Sequence, residues 1–266
     1  MNSCLKKLNI PLFKPKKWFF NPFVQSFYGM YSPLKKTQKK SPIEDVMLPS
    51  GDLIRMEEDS TNHTKKNARI IIMLHGLAGS SRSRYMIRIS EKLISKGYRV
   101  FRVNLRGCGI GQGFSKTLYH GGVSKDVFHL SKRVEKKYPH AHQSVVGFSL
   151  GGNIGLKLAG ELSQEKLAPI DSLIATSPPI DLEVCSYLAS RVYFRTLDRY
   201  LMHRLQRDIA MINYHFSDLP KIKMPKVKTI SDFESIYACV QGEFSDRFEY
   251  YNKCSSNYLL KKIEIP

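Results

Sequence analysis

Residues 145–160 read VVGFSLGGNIGLKLAG. An apolar run ends in Gly147-Phe148-Ser149-Leu150-Gly151, and a stretch rich in small residues at helical spacing follows. Gly-x-Ser-x-Gly between a strand and a helix is the nucleophile-elbow pattern. The serine occupies a sharp, strained turn, and the flanking glycines leave room for backbone to approach backbone. The helix that follows offers free N–H groups and the positive end of its dipole, both suited to a developing oxyanion. Gly152 and Gly155 would let that helix pack tightly on a sheet. Ser149 is therefore the candidate nucleophile.

Strands and helices alternate on either side of this stretch. IEDVMLPSGDLIRM (43–56) reads as a hairpin around the turn residues Pro49-Ser50-Gly51-Asp52. Arg69–His75 (RIIIMLH) is a short apolar run, hence a strand buried on both faces. Ser81–Lys96 carries Met86, Ile89 and Leu93 at helical spacing and stops at Gly97. Tyr98–Leu105 is the next strand. Val123, Val127, Leu130 and Val134 mark one face of a helix that ends before Pro139. Ser144–Phe148, Leu150–Leu162 and Asp171–Thr176 continue the strand, helix, strand order. Such alternation predicts an α/β fold, a mostly parallel sheet with helices on both faces. From Leu182 the pattern changes: Leu197, Leu201 and Leu205 share a helix face, and Ile230–Tyr237 and Arg247–Asn252 read as further helices. Residues 182–257 are the expected helical lid over the core of 43–181. A basic segment, 1–42, precedes the core, and 258–266 reads as the start of another core strand.

The chain has 266 residues, enough for one sizeable core, and carries a formal charge of +19. Nine lysines, from Lys6 to Lys40, precede the first acid, Glu44. Such a surface attracts anions, so peripheral contact with an anionic membrane is a candidate role. No RNP, zinc-finger or helix-turn-helix pattern accompanies the charge, and nucleic acid is not an expected partner. No apolar run is long enough to span a membrane, and the N-terminus lacks the continuous apolar core of a secretory signal. The five scattered cysteines form no CxxC or Cys/His cluster. A reduced cytoplasmic location is expected, with no metal and no cofactor. Gly107-Cys108-Gly109-Ile110-Gly111 does not have nucleotide-loop spacing, and Cys108 lacks a histidine motif beside it.

A second element supports the serine. His75-Gly76-Leu77-Ala78-Gly79 closes the first apolar strand, where a loop can aim the Leu77 N–H at the same point as the Leu150 N–H. Two such donors make an oxyanion hole, and loss of one typically costs about 10²–10³ in rate. His75 itself reads as a residue that braces this loop.

Taken together, these stretches resemble the α/β-hydrolase superfamily, specifically the YheT-like esterases related to the animal abhydrolase-domain lipases. The resemblance runs through Trp18–Gln25, HGLAGSSRSRY (75–85), NLRGCG (104–109), YHGG (119–122), GFSLGGNIG (147–155), SPPIDL (177–182) and Tyr250–Ser255. It implies Ser149 as nucleophile, Leu77 and Leu150 as oxyanion donors, and hydrolysis of a small acyl-ester or lipid substrate of short or medium chain length. It also implies an acid and a histidine beyond the IEIP of 263–266. A C-terminally truncated form is expected, lacking the last strands and helices, on the order of 60 residues, and impaired by the missing triad members. YACVQGEF (237–244) departs from the corresponding family stretch. Three residues within the chain could stand in: His203, His215 and Asp181, the last also readable as a turn cap. The competing expectation is a non-catalytic protein that binds anionic membrane or partner surfaces.

Overall fold

The computed structural model describes residues 41–165, 169–189, 195–224, 227, 229–240 and 243–266, with residues 14, 15, 21, 24, 25, 28 and 33. The chain divides after Gln38, and the fold belongs to the unit Lys39–Pro266. Most of the expected basic segment, including Trp18, Phe19, Phe20, Phe23 and Phe27, lies outside the described residues.

Six strands form one sheet in the order β1-β2-β4-β3-β5-β6. β1 (Ile43–Met47) and β2 (Leu53–Asp59) are the antiparallel hairpin. Its turn closes through Gly51 N–H donating to the Leu48 carbonyl (2.9 Å), with Gly51 at φ 83°. β2 runs antiparallel to β4 (Arg99–Asn104). β4, β3 (Ile70–Leu74), β5 (Gln143–Phe148) and β6 (Ser172–Thr176) are mutually parallel in that order.

Alternation along β3 builds the two faces, because successive side chains leave a strand on opposite sides. Ile70, Ile72 and Leu74 join one cluster with Phe101 and Val103 of β4. That cluster is closed by Val127, Leu130 and Val134 of α2 (Ser124–Lys137) and by Ile154 and Leu158 of α3 (Leu150–Glu165). Ile71 and Met73 point the other way, to Met86 of α1 (Arg84–Ile94). With both faces covered, an apolar run such as IIIML is the sequence a central parallel strand needs.

The antiparallel side of the sheet carries buried charges. Glu57 of β2 stands opposite Arg102 of β4. Arg102 Nε meets Asp59 Oδ2 at 2.5 Å, and Nη1 meets Glu57 Oε2 at 3.3 Å and the Ser81 carbonyl at 2.6 Å. The Arg102 side chain is only 5% exposed. Burial raises the Asp59 carboxyl pKa, but the hydrogen bonds and charge of Arg102 outweigh it and leave the pKa lowered. Charged residues fit an interior strand because each finds its opposite, which a buried charge requires.

Four more helices follow the sheet: α4 (Leu182–Ala189), α5 (Arg195–His215), α6 (Ile230–Val240) and α7 (Arg247–Cys254). Met202, Leu205, Ile209 and Ile212 of α5 pack with Phe233 and Tyr237 of α6 in a cluster of their own. None of the described helices is long and apolar enough to cross a membrane.

Residues 257–266 pack beside α3 and β6. Asn257–Lys262 form a 3-10 helix, and the chain is extended only from Ile263. The reason is packing: Leu259 is buried against α3, where a Cβ on Gly160 would lie 2.6 Å from Leu259 Cβ. The Leu173 N–H of β6 donates to the Pro266 carbonyl at 2.9 Å.

Arg102→Met would leave Asp59 buried with only the Ser41 and Ser90 hydroxyls, and Glu57 with only Arg82 and the Ser81 hydroxyl. The expected loss of unfolding free energy is about 3–5 kcal/mol, read from urea denaturation. A loss below about 1 kcal/mol would show that the network contributes little.

Candidate active site

Ser149 sits between the last residue of β5 and the first of α3, at φ 51°. This left-handed conformation costs a non-glycine residue on the order of 1–3 kcal/mol. The surroundings hold it there. Its N–H donates to the Thr176 carbonyl of β6 at 2.9 Å, and its carbonyl accepts from Gly152 N (2.8 Å) and Asn153 N (3.2 Å).

The flanking glycines have steric reasons to be glycine. A Cβ on Gly147 would lie 2.4 Å from the Gly151 carbonyl oxygen, and one on Gly151 would lie 2.5 Å from the His75 carbonyl oxygen. A Cβ on Gly76 would come within 3.0 Å of Ser149 Cβ and 3.6 Å of its Oγ. The HGLAG loop and the elbow are thus in direct contact.

Three donors converge on the Gly76 carbonyl: Tyr119 OH at 2.9 Å, His75 Nδ1 at 2.8 Å and Gly79 N at 3.0 Å. A trans peptide points its C=O and the next N–H in opposite directions, so this grip turns the Leu77 N–H the other way. Among the described residues, neither the Leu77 nor the Leu150 N–H has an acceptor. Both residues line the same cavity as Ser149.

His75 is fully buried and both ring nitrogens are engaged, Nε2 accepting from Leu105 N at 3.2 Å. Burial pushes its pKa down to about 4. It braces the loop as a neutral ring.

The cavity measures about 210 Å³ and lies between the elbow and helices α4, α5 and α6. Its wall is largely apolar, with Leu182, Leu201, Leu205, Ile230, Phe233 and Phe244. The histidines considered as substitutes are not part of it: His203 and His215 are exposed residues of α5 that do not line the cavity. Asp181 caps α4, its Oδ1 accepting from Val184 N at 3.0 Å. Cys108 is fully buried, and burial pushes its thiol well above the usual range.

Three cavity residues were not singled out by sequence reasoning: His120, Glu243 and Glu234. His120 Nε2 meets Glu243 Oε2 at 2.6 Å, while its Nδ1 accepts from Gly122 N at 3.1 Å. The His120 hydrogen bond is the main cause lowering the Glu243 pKa. With both nitrogens in use, His120 is not poised to take a proton from Ser149. Ser149 Oγ has no hydrogen-bond partner among the described residues. The His120–Glu243 pair spans 123 positions, and the local signals near it were YHGG (119–122) and YACVQGEF (237–244).

Comparison with known proteins agrees with this architecture. The family model described as alpha/beta hydrolase fold matches residues 69–222. YheT of Escherichia coli (strain K12), named as an esterase, is 27% identical over 259 residues, 96% of this chain and 75% of that protein. Monoacylglycerol lipase of Saccharomyces cerevisiae is 27% identical over 271 residues, 98% of this chain but 54% of that enzyme. The chain therefore spans three-quarters of one relative and about half of the other. Among solved structures, 2,6-dihydroxy-pseudo-oxynicotine hydrolase superposes with a TM-score of 0.52 at 13% identity. It covers 85% of this chain and 51% of that one, a likeness of fold alone.

The neutral His75 carries a pH dependence. Its folded pKa is lowered to about 4 from 6.5, so below pH 6.5 the unfolded chain binds a proton that the folded chain refuses. Stability should fall as pH drops from about 6.5 towards 4. Urea midpoints across that range, with NMR titration of the His75 ring, check it. A ring that protonates near pH 6.5 in the folded protein would contradict it.

Proposed function

The chain belongs to the α/β-hydrolase fold family, and on that premise we propose that it is a serine hydrolase of carboxylic esters with Ser149 as nucleophile. The relatives named as esterase and lipase support ester chemistry. One observation carries the assignment of residues: a strained serine opens on a cavity beside two backbone N–H groups that have no acceptor among the described residues.

In this reading the ester carbonyl carbon is attacked by Ser149 Oγ. The carbonyl oxygen becomes an oxyanion, which accepts from the Leu77 and Leu150 N–H groups. The serine proton passes to a base and then to the departing alcohol, leaving an acyl-serine that water cleaves to the acid. Donors already held in place need no reorganisation when charge develops, which is their catalytic value. A small apolar cavity of about 210 Å³ suits short or medium acyl chains, and a monoacylglycerol-like lipid ester is a reasonable substrate by analogy with the yeast relative.

The base is the part of the machinery that this reading leaves unassigned, because no described residue hydrogen-bonds Ser149 Oγ. Removing the histidine of the subtilisin triad costs about 10⁶ in kcat and leaves roughly 10³–10⁴ over water. Weak turnover by this chain alone is the expectation. The same observation favours a second reading, a non-catalytic protein that binds acyl ligands in the cavity and anionic surfaces through its charge of +19.

A fluorophosphonate probe separates the two. The expected outcome is covalent labelling of the folded chain that disappears in Ser149→Ala. Folded protein that takes no label would remove Ser149 as a reactive nucleophile and leave the binding reading.

A further inference from the structure

Several polar groups on the cavity wall are engaged with the protein. Tyr119 OH donates to the Gly76 carbonyl at 2.9 Å. Tyr237 OH accepts from Leu118 N at 2.5 Å, and Tyr250 OH accepts from Gly121 N at 3.3 Å. Glu243 is paired with His120 and its side chain is 49% exposed, so water completes its shell. The carboxyl group of Glu234, on α6, is different.

Glu234 lines the cavity and has no Lys, Arg or His ion pair among the described residues. Ser186 Oγ of α4 donates to its Oε2 at 2.8 Å, and Tyr251 OH of α7 donates to the same oxygen at 2.9 Å. Among the described residues, Oε1 receives no donor. A carboxyl oxygen in an apolar wall without a donor is costly unless something fills its place. Burial raises the Glu234 pKa to about 7, against the lowering effect of Ser186 and Tyr251 and with a further rise from the Asp198 charge. Two donors from two other helices fix the direction in which this carboxyl points, a property of binding groups more than of solvated surface acids.

We propose that Glu234 is the specificity-determining polar anchor of the cavity, selecting ligands whose buried portion carries a hydroxyl group that donates to Oε1. The inference rests on the reading of the cavity as an ester-binding site, and it adds that the favoured ester bears a free hydroxyl on its acyl or alcohol part. An apolar wall cannot itself favour a hydroxyl, whereas a wall with one unfilled acceptor discriminates against ligands that lack the donor.

The test is direct binding to the full chain by calorimetry at pH 8.5, where the carboxylate predominates. The probes are 1-octanol and heptyl methyl ether, which have the same atoms but differ in the presence of an O–H donor. The unmodified chain should bind octanol about tenfold or more tightly than the ether, the scale of one hydrogen bond to a charged acceptor. Glu234→Leu should bind the two equally. Glu234→Gln, which keeps the shape and an acceptor for Ser186 and Tyr251, should show a preference reduced several-fold. Equal affinity in the unmodified chain, an undiminished preference in Glu234→Gln, or binding of neither probe would overturn the inference. Because the readout involves no chemistry, failure of Ser149 to take a fluorophosphonate label would count against the hydrolase reading and leave this result standing.

Discussion

Close backbone contact between the elbow and the end of β3 is the constraint on which the rest depends. A methyl group on Gly151 would strike the His75 carbonyl oxygen at 2.5 Å. At that separation the start of α3 lies directly against the loop that carries Leu77. Ser149 at φ 51° is the cost of turning from strand to helix in so little space, and the bonds to Thr176, Gly152 and Asn153 offset it. The fully buried Asn153 extends the same hold to the end of α7: its Nδ2 donates to the Gly121 and Cys254 carbonyls, and its Oδ1 accepts from Ser256 N. One strained residue is thus tied to three strands' worth of backbone and to the end of α7.

Rigidity of the sheet under that contact comes from two sources. The parallel centre is apolar on both faces, and burial of side chains such as Ile72, Leu74 and Phe101 contributes roughly 1.5–3 kcal/mol each. The antiparallel side uses charge instead. Arg102, Glu57 and Asp59 bond to one another across β2 and β4. A buried ionic network adds little net stability over apolar packing. It does penalise any slip in register, since a shift of one residue would separate Glu57 from Arg102.

Over the elbow, α4, α5 and α6 complete a cavity many of whose polar groups are engaged with the protein. Tyr119 and Tyr85 spend their hydroxyls on Gly76, and His75 divides its two ring nitrogens between Gly76 and Leu105. His120 spends both nitrogens on Gly122 and Glu243. Among the described residues, Ser149 Oγ, the Leu77 and Leu150 N–H groups and Glu234 Oε1 have no protein partner. Unfilled hydrogen-bonding capacity in an apolar cavity is where a ligand gains most by binding. Ser149 and Glu234 line that one cavity together.

The amino-acid sequence by itself determined the alternating α/β order, the hairpin, the elbow and the capping role open to Asp181. Each of these is encoded locally: β3 in five consecutive apolar residues, α2 in Val127, Leu130 and Val134 at helical spacing, the elbow in five residues around Ser149. The HGLAG loop was legible for the same reason, since it directly follows its strand. Only the tertiary structure decided which histidine enters the cavity, because His120 and Glu243 are 123 positions apart and neither lies in a pattern that points to the other. It also separated His203 and His215 from the site, as helical phase on α5 turns both outward. Glu234 looked like any polar residue on an amphipathic helix. Its environment comes from Ser186 on α4 and Tyr251 on α7, and no spacing along the chain specifies how three helices meet. Short-range pattern sets local geometry; burial, pKa and unfilled hydrogen bonds arise only when distant segments share a space.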